Sequence, residues 1–216
     1  MIARAAHEIG LDDITMREVA ERLGVSVPGL YHHVDGKDDL LRMAAEYSAG
    51  LIELPKDRGQ HWAVWLLEWG FYNHDAFMAQ PELLKQFIEG AISIDRTATG
   101  LESALSILVR AGFSPTEARL AYAAVSEYAV GAAVMGLREQ RATEQGKPTI
   151  AEIHRVLAQS DAAAYPQLRA LVADGAAHLR DGFEEGLMFL LRGICEERGE
   201  SWSMIRPKIR RAMKKA

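Results

Sequence analysis

The residues that could do chemistry in this chain are few. The single cysteine, Cys195, sits in an apolar run with helical spacing. It has no second thiol for a disulfide or a zinc pair, and no electropositive neighbourhood that would activate a nucleophile. His32 and His33 are adjacent, and neighbours on a helix point about 100° apart, so they cannot converge on one ion. No glycine-rich phosphate loop, His-Glu-x-x-His or nucleophile elbow occurs. The sequence therefore reads as that of a non-enzyme with no cofactor and no bound metal. What it does offer is a set of hydrogen-bonding side chains between residues 15 and 37. It also offers an aromatic run in which His61, Trp62, Trp65, Trp69, Phe71, Tyr72, His74 and Phe77 fall within seventeen residues.

The elements that must position these groups are helical. Apolar residues recur at i, i+3, i+4 and i+7, and strand-type alternation bounded by turn pairs is missing. The pattern predicts an all-α protein with helices over 2–9, 15–22, 26–32, 37–54, 60–79, 81–90, 98–111, 115–140, 149–158, 162–172 and 176–198, and a basic one over 202–214. Thr15 followed by Glu18 reads as a capping box, and Ser114-Pro115 with Glu117 carries the same start signal. Gly10, Gly24, Gly112 and Gly199 each follow a helical pattern, as left-handed caps do. Pro55 and Gly59 mark the break between a small N-terminal domain, 1–54, and a larger one, 55–216. No uninterrupted apolar run approaches the ~20 residues of a membrane helix, and the start lacks the layout of a secretory signal. A cytoplasmic protein without a membrane partner is expected.

Three short helices within fifty residues, the second and third joined at Gly24-Val25, form a helix-turn-helix pattern, with Ser26–His32 as the groove-entering segment. Charge complicates this. Residues 1–50 carry five Lys/Arg against nine Asp/Glu, residues 51–203 fourteen against twenty-one, and residues 204–216 six against none. Any DNA binding must come from a locally organised surface. The basic tail is open to two readings, a solvated end or a DNA grip.

The run Ile-Thr-Met-Arg-Glu-Val-Ala-Glu-Arg-Leu-Gly-Val-Ser at 14–26, Val-Pro-Gly-Leu-Tyr-His-His-Val at 27–34 and Lys-Asp-Asp-Leu-Leu at 37–41 resembles the DNA-binding domain of the TetR family of repressors. More loosely, Ala-Gly-Phe-Ser at 111–114, Val-Gly-Ala at 130–132, Phe-Glu-Glu-Gly-Leu at 183–187 and Leu-Leu-Arg-Gly at 190–193 look like the tetracycline-repressor type of C-terminal domain. The resemblance implies that Thr15 binds a phosphate and that Arg17 reaches a phosphate or a guanine edge. It puts Ser26, Val27, Pro28, Gly29 and His32 on the recognition segment, with Val27, Pro28 and Gly29 at base-reading positions. Tyr31, His33 and Lys37 would contact backbone phosphates. Val19, Ala20, Leu23, Val25, Leu30 and Val34 are expected in the core. Arg17 as a solvated charge and Tyr31 as helix padding are the plain alternatives. No basic arm precedes helix one, and Val27 and Gly29 are not hydrogen-bond donors. Specificity would then lean on thymine methyl contact, Arg17 and DNA shape, with a shallow salt slope.

Trp62, Trp65, Trp69 and Tyr72 share one helix face, which is either core or a pocket wall. The family resemblance implies an inducer cavity, for which His61, Trp65, Trp69, Tyr72, Asn73, Phe87, Tyr122 and Ser126 are the candidate residues and a small apolar or aromatic molecule the candidate inducer. The tetracycline-binding members use a histidine after helix six to hold a magnesium-chelated drug. Here that region reads Gly-Ala-Ile-Ser-Ile-Asp at 90–95, so that ligand is not supported. Small and apolar residues at helical spacing, Ala129, Ala132 and Gly136 on one helix and Gly182, Gly186, Leu187, Leu190 and Ile194 on another, suit a four-helix dimer bundle; burial within one subunit is the alternative. The expected function is a ligand-responsive repressor that binds a pseudo-palindromic double-stranded operator as a homodimer. A helical small-molecule carrier or protein-interaction module that does not bind DNA is the competing reading.

Overall fold

The computed structural model describes residues 1–10, 14–51, 53–90, 94–174 and 182–214. Among them are twelve helices and no strand. In chain order these are α1 (Ile2–Ile9), α2 (Met16–Leu23), α3 (Val27–Leu30), α4 (Lys37–Leu51), α5 (Trp62–Ala79), α6 (Pro81–Ile88), α7 (Ile94–Arg110), α8 (Pro115–Glu144), α9 (Thr149–Gln159), α10 (Pro166–Ala173), α11 (Gly182–Glu197) and α12 (Trp202–Met213). The expected helices are present, several with shifted ends, and residues 176–181 of the one expected over 176–198 lie outside the described residues. α8 runs four residues further than its apolar pattern, to the left-handed Gly146. α10 begins at Pro166 rather than 162, because Arg169 turns back to donate to the carbonyls of Ala164 at 2.8 Å and Leu157 at 2.7 Å, closing a turn ahead of the proline.

Packing divides the chain into two units. The first comprises Met1–Gly59 with Asp75–Tyr122, the second Gln60–His74 with Ala123–Ala216. In the first unit, α1 packs against α2 and α4, and α2 against α3. Ile14, Val19, Ala20, Leu30, Val34, Leu40 and Ala44 form the core, none more than 1% exposed. Val25, expected in that core, is instead 48% exposed. It follows Gly24, which is left-handed at φ 67° and donates its N–H to the Glu21 carbonyl at 3.2 Å, while Val25 donates its own N–H back to the Ala20 carbonyl at 3.0 Å, so the side chain is carried outward there. α4 is tied to α1 by the buried Ser48, whose hydroxyl donates to the Ala44 carbonyl at 2.9 Å and lies 2.6 Å from His7 Nδ1. Its neighbour Tyr47 packs its ring on His7. α4 also packs against α6.

In the second unit, Gly70 lets α5 meet α11: a Cβ there would lie 2.8 Å from a Leu187 methyl. Phe183 is a second contact point. His74 stacks on it at 4.1 Å between ring centres, Tyr128 stacks at 5.7 Å, and Phe71 meets it edge-on. The Tyr128 hydroxyl donates toward the carbonyls of Gly182 and Phe183 and occupies the space that a side chain at Gly186 would need. Cys195 is buried in α11, and burial pushes its thiol up to about 12. α12 packs against α11 with Ile205 and Ile209 turned inward.

α8 holds no uninterrupted apolar run of membrane length, since Glu127 and Arg138 interrupt it, although by length and overall composition it is long and apolar enough to cross a bilayer, with 28% of its most apolar stretch buried within the single chain. The apolar face here is a helix-packing face rich in alanine and glycine.

Because a Cβ at position 186 would sit 2.0 Å from the Tyr128 oxygen, Gly186→Ala is expected to destabilise the fold by about 1–3 kcal/mol through overpacking. In a Tyr128→Ala background the cost should shrink, and urea unfolding of the four variants measures that coupling.

Candidate functional site

The head, α1 to α4, presents its polar residues on the face away from its core. Thr15, Arg17, Ser26, Pro28, Tyr31, His32, His33 and Lys37 are all surface residues, while Val27 and Gly29 are half-buried. The local chemistry that holds this face is explicit. Thr15 caps α2: its hydroxyl accepts the Glu18 N–H at 3.2 Å and donates to the Glu18 carboxylate at 2.6 Å. Ser26 caps α3, its hydroxyl accepting the Gly29 N–H at 3.1 Å, and a Cβ at Gly29 would press on that same oxygen at 3.1 Å. Pro28 stands in the first turn of α3, where its missing N–H costs nothing.

Two groups expected to contact DNA are already occupied in the free protein. Thr15 and the start of α2 hold the Glu18 carboxylate where the resemblance puts a phosphate. Arg17 Nε donates to Glu21 at 2.9 Å, and both side chains are largely exposed. An exposed pair of this kind is weak, so Arg17 is free to exchange one anion for another. Glu8 likewise bridges Arg4 and Arg22, and both pull its carboxyl below the usual range. The sequence reading gives Glu8 and Glu21 no role and Glu18 only that of a cap. The i,i+4 spacing of Glu8 to Arg4 and of Glu21 to Arg17 is the signal that points to them as competing anions.

The aromatic stripe is a ladder. Trp65 and Trp69 stack at 5.7 Å with planes 7° apart, and Trp69 and Tyr72 stack at 5.3 Å and 24°. Trp69 Nε1 donates to Ser126 Oγ at 2.8 Å, and the Asn73 amide donates to the Trp69 carbonyl at 2.8 Å. Five of the eight expected ligand residues, Trp65, Trp69, Tyr72, Asn73 and Ser126, are thus brought together. Trp65 and Trp69 are buried, and Tyr72, Asn73 and Ser126 are half-buried.

The other three lie elsewhere. Phe87 packs on Phe77 in the first unit and is 43% exposed, and Tyr122, half-buried, closes that unit on α8. His61 has partners of its own at the start of α5. Its Nδ1 accepts the Ala63 N–H at 3.3 Å, capping α5, and its Nε2 faces Glu200 at 3.7 Å. Glu200 also accepts from Trp62 Nε1 at 3.0 Å and from Arg198 Nε at 2.7 Å. His61 thus belongs to a clasp between the start of α5 and the α11–α12 turn, because that is where the orphan N–H groups of α5 are. Burial, with the charges of Lys208 and Arg198, lowers its pKa, and Glu200 opposes this less strongly.

Of the dimer candidates, Ala132, Gly136, Gly182, Gly186, Leu190 and Ile194 keep surface, whereas Ala129 and Leu187 are fully covered by their own chain and have none to offer a partner. Gly186 serves Tyr128, as above. Large exposed side chains stand beside them, Phe189 at 69% and Met135 at 57%. In a helical pattern such residues read as core, and only the packing shows otherwise. The region expected to lack a drug-magnesium histidine falls partly on residues 91–93, outside the described residues. Among the described residues no group of three or more His, Cys, Asp or Glu is placed to hold a metal ion.

A helical head with an exposed recognition segment, in one chain with an aromatic-lined helical region, defines a helix-turn-helix regulator. Residues 2–44 match the tetR family of bacterial regulatory proteins, and residues 54–198 match the tetracyclin repressor-like C-terminal domain. The chain is 32% identical over 204 residues to the class A tetracycline repressor protein from transposon 1721 of Escherichia coli, covering 89% of this chain and 86% of that protein. Among solved structures, it is similar to a single-residue variant of TetR from Acinetobacter baumannii AYE in complex with minocycline, with a TM-score of 0.60, 26% identity and 93% and 97% of the two chains covered. It is similar in fold to ActR of Streptomyces coelicolor in complex with actinorhodin, with a TM-score of 0.72, 23% identity and 94% and 96% covered. The chain belongs to the tetR family and is a ligand-responsive transcriptional regulator. The reading as a carrier or interaction module that does not bind DNA is not favoured.

The His61 clasp sets a pH dependence. The fold favours neutral His61, so below the ordinary histidine value of 6.5 the unfolded chain takes up a proton that the folded chain does not. Stability is expected to be flat above about pH 7 and to fall on acidification below about pH 6.5, by no more than about 1.4 kcal/mol per pH unit from this group. Urea titrations of the wild type and His61→Gln check it: the variant should lose this part of the slope.

Proposed function

We propose that this chain is a cytoplasmic repressor whose homodimer binds a pseudo-palindromic double-stranded operator and is released by a small apolar or aromatic inducer. The head, residues 1–54, would read DNA, and the body, 55–216, would bind ligand and dimerise. The observation that carries the reading is the exposed segment formed by Pro28 on α3 and Tyr31, His32 and His33 in the turn after it, its start held by Ser26, in a head where Arg17 and Lys37 are also exposed. Two such segments related by a two-fold axis would need a separation of about 34–36 Å to enter successive major grooves. Thymine methyl contact by Val27 and phosphate contact by Tyr31, His33 and Lys37 would accompany Arg17.

For the ligand, the carrying observation is the Trp65–Trp69–Tyr72 ladder, an aromatic stack whose two tryptophans are buried, with the half-buried Tyr72, Asn73 and Ser126 at its edge. The minocycline-bound relative holds a fused-ring compound, and a planar ring system suits the same kind of surface here. Within the first unit, α4 packs against both α1 and α6 and is the element whose shift would move α1. Moving a 1:99 balance of conformers to 99:1 requires about 5.5 kcal/mol of differential affinity.

For the dimer, Phe189, Met135 and Val134, all exposed, join Ala132, Gly136, Leu190 and Ile194 as apolar or small surface on α8 and α11.

Two measurements test this. With an operator recovered by selection from random DNA, Arg17→Ala should weaken specific binding by roughly tenfold to a hundredfold; undiminished affinity in a gel-shift titration removes Arg17 from the interface. Light scattering should give a mass near twice 23.9 kDa, and Phe189→Glu should return it to the monomer value, since a charge in an apolar interface is left unpaired.

A further inference from the structure

α12 is not accounted for by the regulator's known parts: the match to the family's C-terminal domain ends at residue 198, before this helix starts. We propose that the outward face of α12 is a second nucleic-acid contact, a surface for the phosphate backbone of duplex DNA, separate from the recognition segment on the head. The proposal rests on the reading of the chain as a DNA-binding regulator, and its test is chosen to fail independently of that reading.

Three observations carry it. The first is the state of the charges. Arg206, Lys208, Arg210, Arg211 and Lys214 are all exposed, and none forms an ion pair among the described residues. In the head, by contrast, Arg4, Arg17, Arg22 and Arg42 are each paired with a carboxylate. The second is geometry. Ile205 and Ile209 are 3% and 0% exposed and fix which side of the helix faces outward. On that side Arg206, Arg210 and Lys214 recur at i, i+4 and i+8, a row with a spacing of about 6 Å along the axis. At its end Arg210, Arg211, Met213 and Lys214 line, with Glu184, a groove of about 460 Å³, in which three cations face one carboxylate.

The third is the distribution of charge over the chain. Residues 1–50 hold five basic against nine acidic residues, and residues 204–216 hold six basic and no acidic ones. The electrostatic attraction that a DNA-binding protein normally carries in its head, and that supplies most non-specific affinity, is concentrated here in α12 and the tail. A phosphodiester backbone fits this face better than a bilayer does, because both isoleucines of the helix are turned into its own chain, Trp202 and Met213 are half-buried, and Met204 is the one large apolar side chain that is largely exposed among five exposed cations.

The test uses the full-length protein, a short random-sequence duplex and the selected operator, with binding read by fluorescence anisotropy across a salt series. The triple variant Arg206→Gln/Arg210→Gln/Lys214→Gln should reduce the slope of log K against log salt by about 2 to 3 on the random duplex, from about 0.9 for each phosphate no longer neutralised, with affinity falling roughly tenfold or more at low salt. Arg206→Lys/Arg210→Lys should keep the wild-type slope. If the triple variant melts at a lower temperature, each single Gln variant should still lower the slope by about 0.9. An unchanged slope overturns the proposal, as does loss of binding to phosphatidylserine vesicles with DNA binding intact. An unchanged slope in the α12 variants together with a defect in Arg17→Ala leaves the regulator reading standing; wild-type protein that ignores both duplexes at low salt ends both.

Discussion

The constraint on which the rest of the molecule depends is that one helix, α4, is packed at once into the head and against α6. Leu40 and Ala44 are part of the head core and have no exposure, and Ser48 is buried against the His7 imidazole. Close-packed interiors have few voids to absorb a displacement. α4 therefore cannot shift at α6 without either carrying α1 with it or breaking the His7–Ser48 contact. A regulator requires a coupling of this kind: an element that responds as a unit, not one that bends continuously.

The head face is pre-satisfied. Glu18 on Thr15 and Glu21 on Arg17 give these two proposed DNA contacts internal anions to hold while no duplex is present, and Glu8 is likewise held by Arg4 and Arg22. Binding through Thr15 and Arg17 would then be an exchange of carboxylates for phosphates or base edges. Its net gain is smaller than the new interactions alone suggest, because those already made in the free state must be given up.

Much of this was legible from residue types and spacing. The capping box at Thr15 and Glu18, the left-handed Gly24 and the start of α8 at Ser114–Pro115 all have local causes and appear as expected. The shared face of Trp65, Trp69 and Tyr72 follows from helical periodicity. What periodicity could not supply was the partner of each face. His61 sits one residue before α5, where orphan N–H groups need an acceptor, and Glu200, distant in sequence, comes to meet it. Phe189 and Met135 share the apolar character of Leu187 and Leu191 and differ from them only in what covers them. Val25 has a core residue's type but a turn residue's place. For His61, Phe189 and Met135 the packing of distant segments decided the outcome, and a single chain read in order does not display it.

The lone thiol has a consequence of its own. Cys195 is buried within α11, and the cost of placing a thiolate there keeps it protonated far above any cellular pH. Oxidants and electrophiles attack the thiolate form and need access to it. The protein is therefore blind to peroxide and to reactive carbonyl compounds through this residue. A reversible response to a bound ligand suits a chain whose one thiol is closed to covalent capture.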